Sequence, residues 1–162
     1  MEINPSDYKI LIVDDVMSNV LLLKVLLTNE KYNIATAGNG TEAIAQVKAE
    51  SPDLILLDVM MPDMDGFEVA QQLKKDPQTA EIPIIFLTAL NSTGDIVKGF
   101  QVGGNDFISK PFNKEELLMR VKHQVSLIEA KRIILAQAEE LRRTIMGRDK
   151  LYSVIAHDLR SP

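Results

Sequence analysis

Four short apolar runs, each closing on a polar side chain, set the pattern of this chain. Lys9 to Val13 leads into Asp14 and Asp15, Leu54 to Leu57 into Asp58, Ile82 to Leu87 into Thr88, and Asp106 to Ser109 into Lys110 and Pro111. Apolar runs this short, bounded by turn residues and without alternation, read as strands buried on both faces, the habit of a parallel sheet. A weaker strand covers Asn33 to Ala37. Helical spacing fills the gaps. Ser18 to Asn29 reads as an amphipathic helix with a polar face, and Thr41 to Glu50, Gly66 to Lys75 and Asp95 to Val102 each place apolar residues on one stripe. Turn chemistry separates them at Gly38 to Gly40, Pro62 to Gly66, Asp76-Pro77 and Gly103 to Asn105. The order is βα five times over, which predicts an α/β doubly wound sheet with right-handed crossovers and helices on both faces.

The fifth helix is longer. Asn113 is a candidate N-cap, with Glu116 in a capping-box position. From Lys114 to Arg160 the chain holds good helix formers and no proline. Leu117, Val121, Val125 and Ile128 suit packing on the sheet. From Ile134 a heptad begins, with Ile134, Leu141, Arg148 and Ile155 at d and Ala138, Ile145, Tyr152 and Leu159 at a. Earlier a positions fall on Lys131 and Gln124, so the register fails before Ile134. This pattern predicts a parallel coiled coil and a homodimer. A solvated helix or a disordered tail is the alternative.

Bulk composition narrows the partners. The 162 residues carry a net charge of −5, with 25% charged and 46% hydrophobic residues. No basic stripe marks a nucleic-acid surface. Cysteine is absent, which leaves no disulfide or thiolate metal site. The start of the chain lacks the features of a signal peptide, and no apolar run is long enough to span a bilayer, so a cytoplasmic location is expected.

In an open α/β sheet ligands gather beyond the carboxyl ends of the strands. That edge would collect Asp14, Asp15, Asp58, Thr88 and Lys110. Two carboxylates about 4 Å apart repel by roughly 4 kcal/mol at an effective dielectric near 20. A hard divalent cation removes the conflict, and magnesium, with manganese as the alternative ion, takes one or two carboxylates and keeps water or phosphate oxygens for the rest. Such a set suits phosphoryl transfer, where positioning and electrostatic stabilisation carry the chemistry. Asp58, alone at the end of the central strand, is the candidate nucleophile.

The motifs ILIVDD (Ile10 to Asp15), LLDVMMPDMDG (Leu56 to Gly66), FLTA (Phe86 to Ala89) and GNDFISKPF (Gly104 to Phe112) resemble the receiver domains of bacterial two-component response regulators over about residues 8 to 128. The resemblance implies a flavodoxin-like strand order 2-1-3-4-5. It also implies Asp58 as phosphoacceptor, Asp15 as a direct magnesium ligand, Asp14 holding a metal-bound water, and the Met60 backbone carbonyl completing the ligands. Thr88 and Lys110 would bind the phosphoryl group, Lys110-Pro111 would be a cis peptide, and Phe107 would be the aromatic switch. Met60 and Leu90 fall where the family varies.

A second motif, Ser153 to Pro162 (SVIAHDLRSP), resembles the phosphoacceptor box of histidine kinases. It implies His157 as the phosphorylated residue, Asp158 as the base that orients it, and Ser161 where that family more often has Thr or Asn. His123 reads as a helix-surface residue. No glycine-rich ATP lid is present, so the sequence is expected to be a fragment of a larger kinase. It divides into a receiver domain (1–128), a helical coiled-coil linker (129–150) and the start of a phosphoacceptor helix (151–162). A straight helix from Lys114 to His157 would span about 65 Å against a domain roughly 30 Å across. The expected donor to Asp58 is therefore a separate phosphohistidine protein or a small phosphodonor, and the expected target of the kinase is a downstream response regulator. The alternatives are a stand-alone phosphorylation-dependent dimer switch, an unphosphorylated scaffold, and a phosphohydrolase. Such hydrolases carry a general-acid Asp two residues past the nucleophile, where this chain has Met60.

Overall fold

A computed structural model describes residues 2–89 and 93–160, with 149–160 described by their backbone alone. After a 3-10 turn at Pro5–Asp7, the elements are β1 (Lys9–Val13), α1 (Met17–Asn29), β2 (Asn33–Ala37), α2 (Gly40–Glu50), β3 (Leu54–Asp58), α3 (Gly66–Lys75), β4 (Ile84–Thr88), α4 (Thr93–Gln101), β5 (Asp106–Ser109) and α5 (Lys114–Arg160). The strands form one parallel sheet in the order β2-β1-β3-β4-β5, the doubly wound flavodoxin-like arrangement expected from the sequence. The chain divides into two compact units, the first ending at Val125 and the second beginning at Ser126.

Strand alternation assigns the two faces of the sheet. Leu11, Val13, Ile55, Leu57, Ile84 and Phe86 point to one face, where Ala43 and Val47 of α2 and Phe67, Val69, Ala70 and Leu73 of α3 cover them. Ile10, Ile12, Leu54, Leu56, Ile85 and Leu87 point to the other and are equally buried. The buried apolar residues of α1 (Val20, Leu23, Leu27) and of the first turns of α5 (Leu117, Val121, Val125) remain to cover that face. Burial on both faces explains why these strands read as continuous apolar runs.

Three details differ from the sequence reading. First, the outer face of α1 is mixed and not purely polar, because Met17, Leu21, Leu22 and Val25 are exposed alongside Ser18, Lys24 and Thr28. Its nearly unbroken Leu and Val content supplies a buried stripe and leaves apolar residues over for the surface. Second, β4 begins at Ile84, not Ile82. Pro83 has no N–H to offer a ladder, although its carbonyl accepts from the Ile55 N–H at 3.1 Å. Third, Asn113 caps α5 by accepting from the Glu116 N–H at 3.0 Å, but the Glu116 carboxylate turns to Arg120 Nε at 3.1 Å instead of closing a capping box.

Candidate functional site

The parallel register brings four strand ends to one edge. Asp58 is the last residue of β3 and pairs with Leu87, while Thr88 ends β4 and pairs with Ser109. Asp14 follows β1, and its N–H continues the ladder to the Ala37 carbonyl at 3.2 Å. Lys110 follows β5, and its N–H donates to the Thr88 carbonyl at 2.9 Å. Asp14, Asp58 and Thr88 are buried, whereas Asp15 is exposed.

The approach to Asp58 depends on a glycine. α3 starts at Gly66, whose N–H donates to the Val59 carbonyl at 2.9 Å. A Cβ built there would overlap the Asp58 carbonyl oxygen, so only glycine lets the helix start this close to the strand end.

The Lys110 ammonium bridges two carboxylates, lying 3.0 Å from Asp58 Oδ1 and 3.2 Å from Asp14 Oδ2. Asp14 is otherwise well satisfied. Its Oδ1 accepts from the Val16 N–H at 2.9 Å and its Oδ2 from Asn19 Nδ2 at 3.2 Å. Asp58 Oδ1 also accepts from the Met60 N–H at 3.3 Å, whereas the buried Asp58 Oδ2 has no hydrogen-bond partner. An acceptor left unmatched in the interior is costly. Burial first, and then the negative charge of Asp14, push the Asp58 carboxyl up to about 6, against the opposing hydrogen bonds from Lys110 and Met60. Burial works to lower the Lys110 ammonium, but its hydrogen bonds to Asp58 and Asp14, and their charges, outweigh burial and raise it.

Asp14, Asp15 and Asp58 can each offer one oxygen, all within 4.8 Å of one another. A set of hard oxygen donors with one buried, unmatched lone pair fits a small divalent cation. Bound there, such an ion would offset the mutual repulsion of the carboxylates and satisfy Oδ2.

The remaining candidates fall as follows. The Lys110-Pro111 peptide is cis. Phe107 lies on β5, partly buried, with its ring between Phe86 and Phe100. Met60 is exposed in the loop leaving β3. His123 is exposed on α5. His157 and Asp158 belong to the helical backbone of α5, and their side chains, like Leu90 and Ser161, lie outside the described residues. Sequence reasoning did not single out Asn19, which holds Asp14. Its only signal is an amide residue in the first turn after the acidic pair. Nor did it single out Arg120, whose Nη1 donates to Asp106 Oδ1 at 2.8 Å and Oδ2 at 3.1 Å, tying α5 to the start of β5.

A parallel sheet of this order with an acidic, lysine-bridged carboxyl edge defines a class of phosphoryl-accepting signalling domains. The family model for the response regulator receiver domain matches residues 10–122, and the chain belongs to this family. It is 47% identical over 114 residues to the response regulator PleD of Caulobacter vibrioides, covering 70% of this chain and 25% of PleD. It is 45% identical over 114 residues to the alkaline phosphatase synthesis transcriptional regulatory protein PhoP of Bacillus subtilis, covering 70% of this chain and 47% of PhoP. The chain thus spans between a quarter and a half of the length of these relatives. Among solved structures, the signal receiver domain of a signal transduction histidine kinase from Syntrophus aciditrophicus superposes with a TM-score of 0.68 at 38% identity, over 74% of this chain and 90% of that one. Among the described residues, no helix is long and apolar enough to cross a membrane.

Proposed function

We propose that this chain accepts a phosphoryl group on Asp58 in a magnesium-dependent reaction and passes the resulting change through α5 to a histidine kinase. One observation carries the acceptor assignment: Asp58 Oδ2 is buried without a hydrogen bond beside Asp14, Asp15 and Lys110. With its carboxyl near 6, Asp58 is mostly ionised at neutral pH and can act as nucleophile. One carboxylate oxygen forms a bond to phosphorus while the donor's P–O or P–N bond breaks. The leaving group is the carboxylate of an acyl phosphate or the imidazole of a phosphohistidine. Asp15 and the Met60 carbonyl would hold the ion, magnesium or manganese, with Asp14 contributing through a water. When bound, the ion would supply positive charge to offset the phosphate oxygens. Lys110 and the Thr88 hydroxyl hold those oxygens, and Phe107 follows Thr88 as the switch.

The output assignment rests on α5. Within the second unit, Leu127, Ile134 and Leu141 recur every seven residues and are exposed, as is Ile145. Leu127 lies one heptad before the expected start of the seam. This stripe supports a parallel coiled coil and a homodimer across the 129–150 linker. The box from residue 151 onward, with His157 as phosphoacceptor and Asp158 as its base, supports a cytoplasmic kinase acting on a downstream regulator. The likeness to a receiver that belongs to a histidine kinase points the same way. A phosphohistidine protein or small phosphodonor, distinct from His157, feeds Asp58.

The test is to incubate the chain with magnesium and acetyl phosphate and to weigh it. One acid-stable, base-labile phosphoryl mass should appear and should be absent from Asp58→Asn. A mass gain that persists in that variant would refute the acceptor assignment.

A further inference from the structure

Four phenylalanine rings touch in series across one side of the sheet. Phe67 and Phe86 meet edge-on with centroids 5.2 Å apart, Phe86 and Phe107 are tilted at 5.5 Å, and Phe107 and Phe100 meet edge-on at 5.2 Å. The series begins one residue after Gly66, which abuts the Asp58 carbonyl. It ends on α4. Phe107 lies on β5, three residues before Lys110, which follows the strand.

The tip of the Phe107 ring lies against the backbone of α4 at Gly99. A Cβ built on Gly99 would overlap Phe107 Cζ and sit 3.0 and 3.1 Å from Cε1 and Cε2. Gly99 is the buried residue of this helix. Glycine inside a helix is unfavourable relative to alanine, because it loses more backbone freedom on folding. Its place here, on the buried side and directly over an aromatic ring, is explained by the room it leaves. Any larger residue would force either the ring or the helix to shift.

We propose that Gly99 is the positioning residue of Phe107: it opens a slot in α4 that seats the ring, so that ring and helix are displaced together or not at all. While the ring occupies the slot, α4 lies close over β5. When the ring leaves, nothing fills the space beneath Gly99 and α4 must resettle. Phe100, edge-on to the same ring, follows it. The signalling consequence rests on the receiver reading given above, since it makes α4 the readout of the state of Asp58. The slot itself does not depend on that reading.

The test combines a stability cycle with a local probe. Gly99→Ala in the full chain should lower the melting temperature by a few degrees. It should also move the fluorine resonance of 4-fluorophenylalanine placed at position 107, with no phosphodonor present. In a Phe107→Leu background, which removes the ring tip, the same Gly99→Ala change should raise the melting temperature, as alanine does in an unobstructed helix. If Gly99→Ala alone does not fold, the double variant with Phe107→Leu should recover folding. Stabilisation by Gly99→Ala in both backgrounds, an unmoved resonance, or a double variant that stays unfolded would each overturn the proposal. Absence of phosphoryl acceptance at Asp58 with the cycle intact would instead remove the phosphoacceptor proposal and leave the slot standing.

Discussion

Lys110 Nζ stands 3.0 Å from Asp58 Oδ1, held there by a strand register that also ties the Lys110 N–H to the Thr88 carbonyl at 2.9 Å. One cation thus serves both a buried carboxylate pair and the space beyond it where a phosphoryl group would arrive. Lys110→Met should leave the sheet intact and slow magnesium-dependent phosphorylation of Asp58 by roughly 10²–10³, the usual cost of deleting one preorganised charge-stabilising group. Initial rates of mass gain with acetyl phosphate check this. An unchanged rate would mean that Lys110 only balances the acids.

Burial of Asp58 has a stability signature. Its carboxyl is raised from 3.8 to about 6, so the protonated form is favoured by folding. That contribution is fully present below pH about 4, where the unfolded chain is also protonated, and it fades as pH rises through 6. At about 1.4 kcal/mol per pH unit, the metal-free protein loses on the order of 3 kcal/mol across this window relative to a variant that cannot ionise there. Asp58→Asn should therefore melt higher than the parent at pH 8 by roughly 5–10 °C, and at nearly the same temperature at pH 4. Thermal melts in a chelator at the two pH values measure the difference. A variant less stable at pH 8 would contradict the electrostatic account.

Metal binding should reverse the same penalty. At a hundredfold excess over its dissociation constant, magnesium should stabilise the folded chain by about 2.7 kcal/mol. Asp15→Asn, which changes an exposed member of the acidic set, should abolish most of this gain without altering the metal-free melt. Asp63→Asn, outside that set, should keep it. Equal losses in both variants would point to nonspecific screening.

Much of this arrangement was readable before any coordinates. The strands were visible because Ile, Leu and Val run without alternation in β1, β3 and β4, a pattern a two-sided buried sheet requires. The convergence of Asp14, Asp58, Thr88 and Lys110 followed from their common position at strand ends. Other features were hidden for physical reasons. In α1, Leu21, Leu22 and Leu23 follow one another, so composition gives no angular signal and the exposed apolar face could not be assigned. The Arg120–Asp106 pair joins a helix to a strand across a separation of 14 residues, and only the docking of α5 decides it. The slot at Gly99 depends on which ring lies beneath it, and that is set by the pairing of β4 with β5.

The seam on α5 makes a separate prediction. Leu141 is 60% exposed and Ile134 63% exposed, so changing both to Glu removes no intrachain packing of note. The receiver melt should move by no more than about 0.5 kcal/mol. Sedimentation should show the parent as a dimer and the Ile134→Glu/Leu141→Glu variant as a monomer. A parent that sediments as a monomer at tens of micromolar would remove the coiled coil from the account.

The central claim is that phosphorus becomes bonded to one particular carboxylate. Borohydride cleaves an acyl phosphate reductively, converting a phosphorylated aspartate to homoserine. After treatment with magnesium and acetyl phosphate, then borohydride, peptide sequencing by mass spectrometry should find homoserine at position 58 and unmodified aspartate at 14 and 15. Homoserine at 14 or 15, or at none of the three while the donor is consumed, would contradict it.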